Sequence, residues 1–311
     1  MKDVIVIGGG AAGLGGALTL GRARRSVLVI DSGQPRNAPA AHMHAFLTRD
    51  GMPPGELLAL GREEVRAYGA EVLAAEVVAA RKDADGFTVT LADGREARAR
   101  RLLVTTGLTD ELPAVAGLAE RFGRDVVHCP YCHGWEIRDE PVGVLATGPM
   151  SLHQVRLFRQ WTPDLVFFQH TGPRPDEHEL ENLAARGITV VEGEVTALEI
   201  TDDALAGVRL ADGRVVPRRA LVVAPYAVAR AGFLAELGVT TAEHPSGMGE
   251  YVPADETGRT SVPGVWAAGN ITDLSAQVIS AAAAGTKVAA MMNMDLVEED
   301  EACSPDAVRV Y

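Results

Sequence analysis

Cysteine is scarce in this chain, with three in 311 residues. So few thiols cannot form the disulfide framework of a small secreted domain, and they predict a reducing compartment. Positive charge is also in deficit, since 29 Lys and Arg stand against 42 Asp and Glu, for a formal net charge of −13. Phosphate binding needs basic patches, so this balance argues against a nucleic-acid partner.

Long hydrophobic runs are missing as well. No run approaches the roughly 18 apolar residues of a membrane helix. The opening MKDVIVIGGGAAG has a four-residue apolar core, and Asp3 interrupts its charged region, which is atypical of a signal peptide. We therefore expect a cytoplasmic protein with no membrane partner. Hydrophobic residues make up 47% of the chain, and its length suits two domains with buried cores.

A dinucleotide-binding pattern opens the sequence. The apolar run Val4–Ile7 predicts a buried parallel strand, a helix follows from 11 to about 24, and a second apolar run ends in Asp31. Between strand and helix lies G-x-G-x-x-G, made of Gly8, Gly10 and Gly13. Gly8 would permit the tight turn, Gly10 the approach of a pyrophosphate to the backbone, and Gly13 the packing of helix on strand. Asp31, about 20 residues further on, would accept hydrogen bonds from a ribose.

The chain also contains a second, related unit. Residues 91–104, LADGREARARRLLV, align without a gap with residues 210–223, LADGRVVPRRALVV. Each stretch predicts a strand, a turn at Ala-Asp-Gly and a further strand. VIVIGGGAAG at 4–13 likewise aligns with VGVLATGPMS at 142–151, which is also a strand running into a turn before a helix. We conclude that a dinucleotide-binding unit is duplicated.

The second unit is changed at most of the residues that would hold a nucleotide, although Gly148 keeps the place of Gly10. Ala146, Thr147 and Ser151 replace Gly8, Gly9 and Gly13, and Gln169 replaces Asp31. Pro149 would remove one backbone N–H from a phosphate cradle. A single arginine, Arg174, lies where an NADP site would need guanidinium groups. The pattern favours a retained scaffold with a weakened or lost site, the alternative being a variant NAD(P)H site.

The stretch HCPYCHGWE, residues 128–136, holds two of the three cysteines. Three chemistries use such a sequence: a covalent haem at C-x-x-C-H, a zinc ion held by Cys and His, or a redox disulfide. Four zinc ligands drawn from Cys129, Cys132, His128 and His133 would need a cramped loop. These residues do not decide the question alone.

The whole chain resembles the low-molecular-weight thioredoxin reductase family of flavoproteins. The resemblance is carried by GGGAAG near the N-terminus, DGMPPGEL at 50–57, VTTG at 104–107, C-x-x-C at 129–132 and GVWAAGNITDLSAQVISAAAAG at 264–285. It implies an α/β fold of two Rossmann-like dinucleotide-binding domains, the second inserted into the first, with FAD as cofactor, no metal, and a homodimer. Residues 1–112 and 242–311 would form the FAD domain, and residues 113–241 the inserted NAD(P)-type domain carrying the C-x-x-C.

The resemblance also assigns cofactor-binding and catalytic residues. The last segment would contact FAD through Gly269, Asn270 and Gln277; the family usually has Asp in place of Asn270, and Asp273 is a candidate to compensate. Because haem attachment is linked to export and zinc would crowd the loop, the resemblance favours a redox disulfide beside flavin. It implies that Cys132 faces the flavin and Cys129 exchanges with substrate.

Departures from typical reductases refine the function. Those proteins keep an intact second glycine motif, an arginine pair, and Asp after the second cysteine, where this chain has His133. These features are more similar to the dithiol oxidases of gliotoxin and holomycin type, which form a disulfide in a small natural product and pass the electrons to O₂. We therefore expect a small-molecule dithiol and O₂ as partners, H₂O₂ as product, and a role in natural-product biosynthesis or self-protection. The alternatives are an NADPH-dependent thioredoxin-disulfide reductase with a thioredoxin-like protein partner, and a flavin-bound redox sensor without turnover.

Two histidine groups complete the candidate site. His133 is suited to move protons near neutral pH, because the thiolate is the reactive form of a thiol. His128 either assists it or only orients the motif. His42-Met43-His44 is interpreted as a polar loop that either approaches the flavin or substrate or serves only as a connection.

Overall fold

The first apolar run forms the strand on which the first unit is built. The computed structural model describes residues 1–148 and 150–303, without the side chain of Cys303; the expectation for Pro149 and the end of the predicted 242–311 segment lie outside these residues. Before the chain passes from the first unit into the inserted unit, its elements are β1 (Lys2–Ile7), α1 (Ala11–Arg22), β2 (Val27–Asp31), α2 (Pro54–Ala67), β3 (Glu71–Ala74), β4 (Val77–Asp83), β5 (Gly86–Leu91), β6 (Glu96–Val104) and β7 (Leu108–Glu111).

These strands form a sheet in the order β3-β2-β1-β6-β5-β4. β1 pairs in parallel with β2 and with β6, as a strand buried on both faces should. Val4 and Val6 belong to the core on one side of the sheet, and Ile5 and Ile7 to the core on the other. The carboxyl end of β1 therefore carries the glycine-rich turn at the edge where α/β sheets bind ligands.

The inserted unit repeats this architecture. Its elements are α3 (Leu118–Arg121), β8 (Val126–Val127), α4 (Pro130–His133), β9 (Val142–Leu145), α5 (Ser151–Phe158), β10 (Leu165–Phe168), α6 (Glu177–Ala185), β11 (Thr189–Val191), β12 (Val195–Thr201), β13 (Ala204–Leu210), β14 (Val215–Pro217) and β15 (Ala220–Val223). The sheet order β11-β10-β9-β15-β8 parallels that of the first unit, with β9 in the place of β1. The predicted duplication and fold class are confirmed.

The two Ala-Asp-Gly turns also have the same geometry. Asp93 accepts a hydrogen bond from the backbone N–H of Arg95 at 3.1 Å, and Asp212 one from Arg214 at 3.0 Å. Gly94 has φ +83° and Gly213 φ +89°. Only glycine adopts this left-handed conformation without strain, so the aligned sequences specify the same hairpin turn twice.

The chain then returns to the first unit, through β16 (Tyr226–Ala229), β17 (Ala242–Glu243), β18 (Glu250–Tyr251), β19 (Val265–Ala267) and α7 (Val278–Cys303). β7 leads from the first unit into the inserted unit and β16 leads back, and these two strands pair with each other. Ala227, Ala229 and Val239 are buried in the core of the first unit. The boundary between residues 241 and 242 stays a prediction, and the Pro and Gly residues beside it lie in the hairpin of β17 and β18.

α7 closes the first unit. β19 pairs in parallel with β6, and α7 lies against α1 so closely that a Cβ on Gly285 would collide with the backbone of Ala12. Among the described residues, no helix is both long enough and apolar enough to cross a membrane.

Candidate active site

A cavity of about 790 Å³ runs from the glycine-rich turn of the first unit to the C-x-x-C of the inserted unit. Most of the sequence-predicted site residues line it, namely Gly8, Gly10, Asp31, His128, Cys132, His133, Asn270 and Gln277. Gly13, Cys129 and Gly269 do not line it. The fold thus brings residues from both units and from both ends of the chain to one cleft.

The glycine-rich turn separates into structural and ligand-facing positions. Gly8 has φ +105°, and a Cβ there would lie 2.5 Å from the carbonyl oxygen of Thr105. A Cβ on Gly13 would collide with the carbonyl of Gly8, so Gly13 holds α1 against the turn. A Cβ on Gly10 would meet nothing within 4 Å and would project into open space at the start of α1. That space, next to unpaired N–H groups at a helix N-terminus, suits a pyrophosphate.

The acid after β2 is partly committed within the turn. Oδ1 of Asp31 accepts a hydrogen bond from the backbone N–H of Gly9 at 3.0 Å. A carboxylate can accept several hydrogen bonds, so Oδ2 remains available to a ribose hydroxyl. Open glycine cradle, helix N-terminus and oriented carboxylate together fit the ADP part of FAD.

The opposite wall of the cavity comes from the segment before α7. Asn270 donates from Nδ2 to the carbonyls of Asp273 at 3.2 Å and Ala276 at 2.9 Å, which leaves Oδ1 as its hydrogen-bond acceptor. Gly269, with φ +84°, packs on Ala12 and shapes the turn. Asp273 accepts instead from the backbone and hydroxyl of Ser275, and it does not line the cavity. It therefore does not replace the charge that Asn270 lacks.

The C-x-x-C forms a disulfide whose Cα atoms are 5.3 Å apart. Cys129 directly precedes the short helix α4, and Cys132 is the third residue of that helix. Of the two, only Cys132 lines the cavity. Because both sulfurs are bonded to each other, neither is a free thiolate that could hold zinc. Within residues 1–148 and 150–303, no three His, Cys, Asp or Glu side chains form a metal-binding group.

His133 stands next to Cys132 with one ring nitrogen in the protein interior. Burial lowers the pKa of His133, Glu136 opposes this shift, and the charge of His44 adds to it. Among the described residues, no group hydrogen-bonds to its buried Nδ1 atom. A neutral imidazole with a free acceptor can take a proton from a thiol at neutral pH.

His128 has a different environment. Burial, reinforced by the charge of Arg36, lowers the pKa of His128 to about 4. Its ring stacks on Phe122 with centroids 5.8 Å apart. So weak a base holds almost no proton near neutrality, which favours a structural part for His128 and leaves proton transfer to His133.

Arg36 and Asp110 were missed by the sequence analysis. Both line the cavity, and the guanidinium binds the carboxylate through two hydrogen bonds of 2.9 and 2.6 Å. The pair is formed between residues 74 positions apart, so no local pattern could have revealed it. It places a fixed charge pair beside His128.

In the inserted unit, the turn that corresponds to the glycine-rich turn has backbone N–H groups bonded to a nearby side chain. The hydroxyl of Ser151 accepts hydrogen bonds from the backbone N–H groups of Thr147 at 3.1 Å and Gly148 at 3.3 Å. Arg174, the arginine expected nearest a 2′-phosphate, is exposed and paired with Glu192 at 3.0 Å. The N–H groups and the cation that a nucleotide would need are therefore already bonded.

Comparison with known proteins places this site in a family context. Residues 2–286 match the family described as pyridine nucleotide-disulphide oxidoreductase. The chain is 30% identical to "Thioredoxin reductase tcpT" of Claviceps purpurea, covering 96% of this chain and 95% of that protein. It is also 30% identical to "Thioredoxin reductase sirT" of Leptosphaeria maculans, covering 96% of both.

Solved structures extend the likeness to the fold. The crystal structure of HlmI superposes with a TM-score of 0.92 at 46% identity, covering 98% of this chain and 96% of that one. A thioredoxin reductase TrxB from Bacillus anthracis superposes with a TM-score of 0.90 at 30% identity, covering 96% of this chain and 100% of that one.

Proposed function

Since this chain belongs to the pyridine nucleotide-disulphide oxidoreductase family and is a thioredoxin reductase-like, FAD-dependent oxidoreductase, we propose that it is a dithiol oxidase that closes a disulfide in a small molecule and delivers the electrons to O₂. The observation that carries this proposal is the internal hydrogen bonding of Ser151 to Thr147 and Gly148. A dithiol supplies electrons through the Cys129–Cys132 pair, whereas a pyridine nucleotide would have to compete with Ser151 for the N–H groups of this turn.

The chemistry begins with thiol–disulfide exchange. A substrate thiolate attacks Sγ of Cys129, the Cys129–Cys132 bond breaks, and Cys132 leaves as a thiolate facing the cavity. The second substrate thiolate attacks the substrate sulfur of the mixed disulfide, which releases the cyclic disulfide and the Cys129 thiolate. The substrate is thereby oxidised by two electrons, and the cysteine pair is reduced by two.

Gly10, Asp31 and Asn270 line the cavity that would hold FAD, which would supply an acceptor for this electron pair and the chemistry that reduces O₂ to H₂O₂. The other steps belong to the chain's own side chains. His133 accepts the proton of a substrate thiol. Because it follows Cys132 directly in the chain, it can also exchange a proton with the departing Cys132 sulfur. The cavity-facing position of Cys132 supports the order in which Cys129 meets substrate and Cys132 meets the cofactor.

A second function, NADPH-dependent reduction of a thioredoxin-like protein, is favoured by the names of the fungal relatives. The two functions run the cysteine pair in opposite directions. Oxygen consumption separates them: with dithiothreitol in air, a dithiol oxidase forms one H₂O₂ for each dithiol oxidised and needs no NADPH. Failure to consume O₂, together with NADPH-dependent reduction of thioredoxin, would establish the reductase.

A further inference from the structure

The loop of residues 42–52 faces the redox motif from the first unit. Two hydrogen bonds tie it together, from Met43 N–H to the carbonyl of Met52 at 3.0 Å and from Gly51 N–H to the carbonyl of Met43 at 2.9 Å. Ala45 and Thr48 have positive φ angles of 60° and 75°. Such angles cost a non-glycine residue free energy and persist where the surroundings enforce them, so this loop has a defined shape.

His44 is the residue that this shape directs toward the redox motif. It lines the cavity, and its side chain is 21% exposed. Nδ1 lies 3.4 Å from Oδ2 of Asp50, whose Oδ1 accepts the backbone N–H of Ala45 at 2.8 Å. The imidazole is therefore oriented from within its own loop, like a histidine held by a carboxylate in other sites.

The other ring nitrogen of His44 reaches the inserted unit. Nε2 lies 3.4 Å from Oε1 of Glu136, three residues after His133. A contact between a histidine and a carboxylate that joins the two units fixes their separation at that point, although its energy at a half-exposed site is modest. Its position matters because Cys132 must lie at the cavity for electrons to pass from the reduced cysteine pair to the cofactor.

We propose that His44 is a positioning residue, which through Glu136 holds the Cys129–Cys132–His133 segment against the cofactor cavity. This inference rests on the proposed electron-carrying part of the cysteine pair, and not on O₂ as the acceptor. Loss of the contact should lower the rate at which the cysteine pair passes electrons on, because electron transfer between reacting groups depends steeply on their separation and orientation. FAD binding and folding should be unaffected.

Anaerobic stopped flow with dithiothreitol tests this on the FAD-loaded protein. His44→Ala and Glu136→Ala should each slow flavin bleaching about fivefold to tenfold, within the range of coupled contacting residues. The double variant should be no slower than the slower single variant. Glu136→Gln keeps an acceptor for Nε2 and should restore most of the rate at pH 8. Leu47→Ala, in the same loop and 80% exposed, is the matched control.

The outcomes separate cleanly. Multiplicative losses in the double variant, or wild-type rates in both single variants, would overturn the positioning of the motif by His44. If Glu136→Gln is as slow as Glu136→Ala, the charge of Glu136 rather than its contact with His44 is what matters, and the proposal also fails. Should dithiothreitol not bleach the wild-type flavin at all, the failure lies in the proposed function.

Discussion

Oγ of Ser151 lies 3.1 Å from the backbone nitrogen of Thr147, so the second unit bonds an N–H of its turn to a serine hydroxyl, whereas the first bonds the corresponding N–H of Gly9 to Asp31. The two units share one architecture and differ at this turn. The N–H of Gly148 is also bonded to Ser151, at 3.3 Å, whereas no side chain of the described residues bonds the N–H of Gly10, its counterpart. We therefore expect the first unit to bind its nucleotide more tightly than the second.

The first prediction concerns NADPH. Typical reductases bind NADPH with an arginine pair that this chain lacks. Losing two charge-assisted bonds of about 1.5–3 kcal/mol each weakens NADPH binding by roughly two to four decades. NADPH at micromolar concentration under argon should therefore fail to bleach the flavin within the turnover time, while dithiothreitol succeeds. Ser151→Gly should raise the NADPH-dependent rate by no more than about tenfold, because Arg174 remains paired with Glu192. Rapid bleaching of the wild type by NADPH would refute the oxidase.

The second prediction concerns FAD retention. Gly10→Val should give folded but colourless protein, since its side chain meets no protein atom within 4 Å of Cβ and projects into the space for the pyrophosphate. Gly148→Val is the matched control, because a Cβ there also meets open space but in the inserted unit. Flavin absorbance per protein measures the outcome. A yellow Gly10→Val protein with a normal spectrum would contradict the assignment.

The third prediction assigns the two cysteines. Cys132→Ser should abolish flavin reduction by dithiols, because it removes the sulfur that lines the cavity. Cys129→Ser leaves the Cys132 thiolate beside the flavin and should show a long-wavelength charge-transfer band. Absorbance spectra of both variants between pH 6 and 9 are the measurement. Appearance of the band in the Cys132 variant would reverse the two roles.

The fourth prediction concerns His133. His133→Gln should slow turnover by roughly 10²–10⁴, the usual range for a positioned acid–base. Burial lowers the pKa of His133 below 6.5, so the neutral base persists at pH 6.5 and is lost only as the pH falls through the lowered pKa. The wild-type acid limb should thus lie below pH 6.5, and the variant should lack it. His153→Gln, on the exposed face of α5, is the control; an unchanged profile in His133→Gln would make this residue structural.

The fifth prediction links His128 to stability. Its pKa is about 4 in the folded protein and about 6.5 when unfolded, a difference worth roughly 3 kcal/mol. Since the folded pKa is depressed, this stability is present above pH 6.5 and is lost as the pH falls toward 4. Over that range, the unfolding free energy of His128→Gln should fall by less than that of the wild type in denaturant titrations. The variant His178→Gln, at an exposed position, should match the wild type. Equal pH dependence in all three would contradict the buried, neutral state of His128.

Local patterns predicted much of the fold. The alternation of Val4 to Ile7 between two cores, the glycine-rich turn, and the paired Ala-Asp-Gly hairpins follow from residues close in sequence. The Pro and Gly near 245 suggested a hinge from the sequence, and in the fold they connect the strands of a hairpin, which local composition alone does not distinguish. Arg36–Asp110 and His44–Glu136 join distant positions, so only the folded chain brings them together.

The placement of α7 against α1 predicts the order in which the two units fold during synthesis. Asn270 and Gln277 line the cofactor cavity. One face of α1 is covered only when α7 packs on it, with Gly285 against Ala12. The inserted unit, by contrast, has its strands complete at Val223. Domains fold as units while synthesis proceeds. We therefore expect the inserted unit, with its C-x-x-C, to fold first on the ribosome, and FAD to bind only after the residues up to Gly285 have been synthesised.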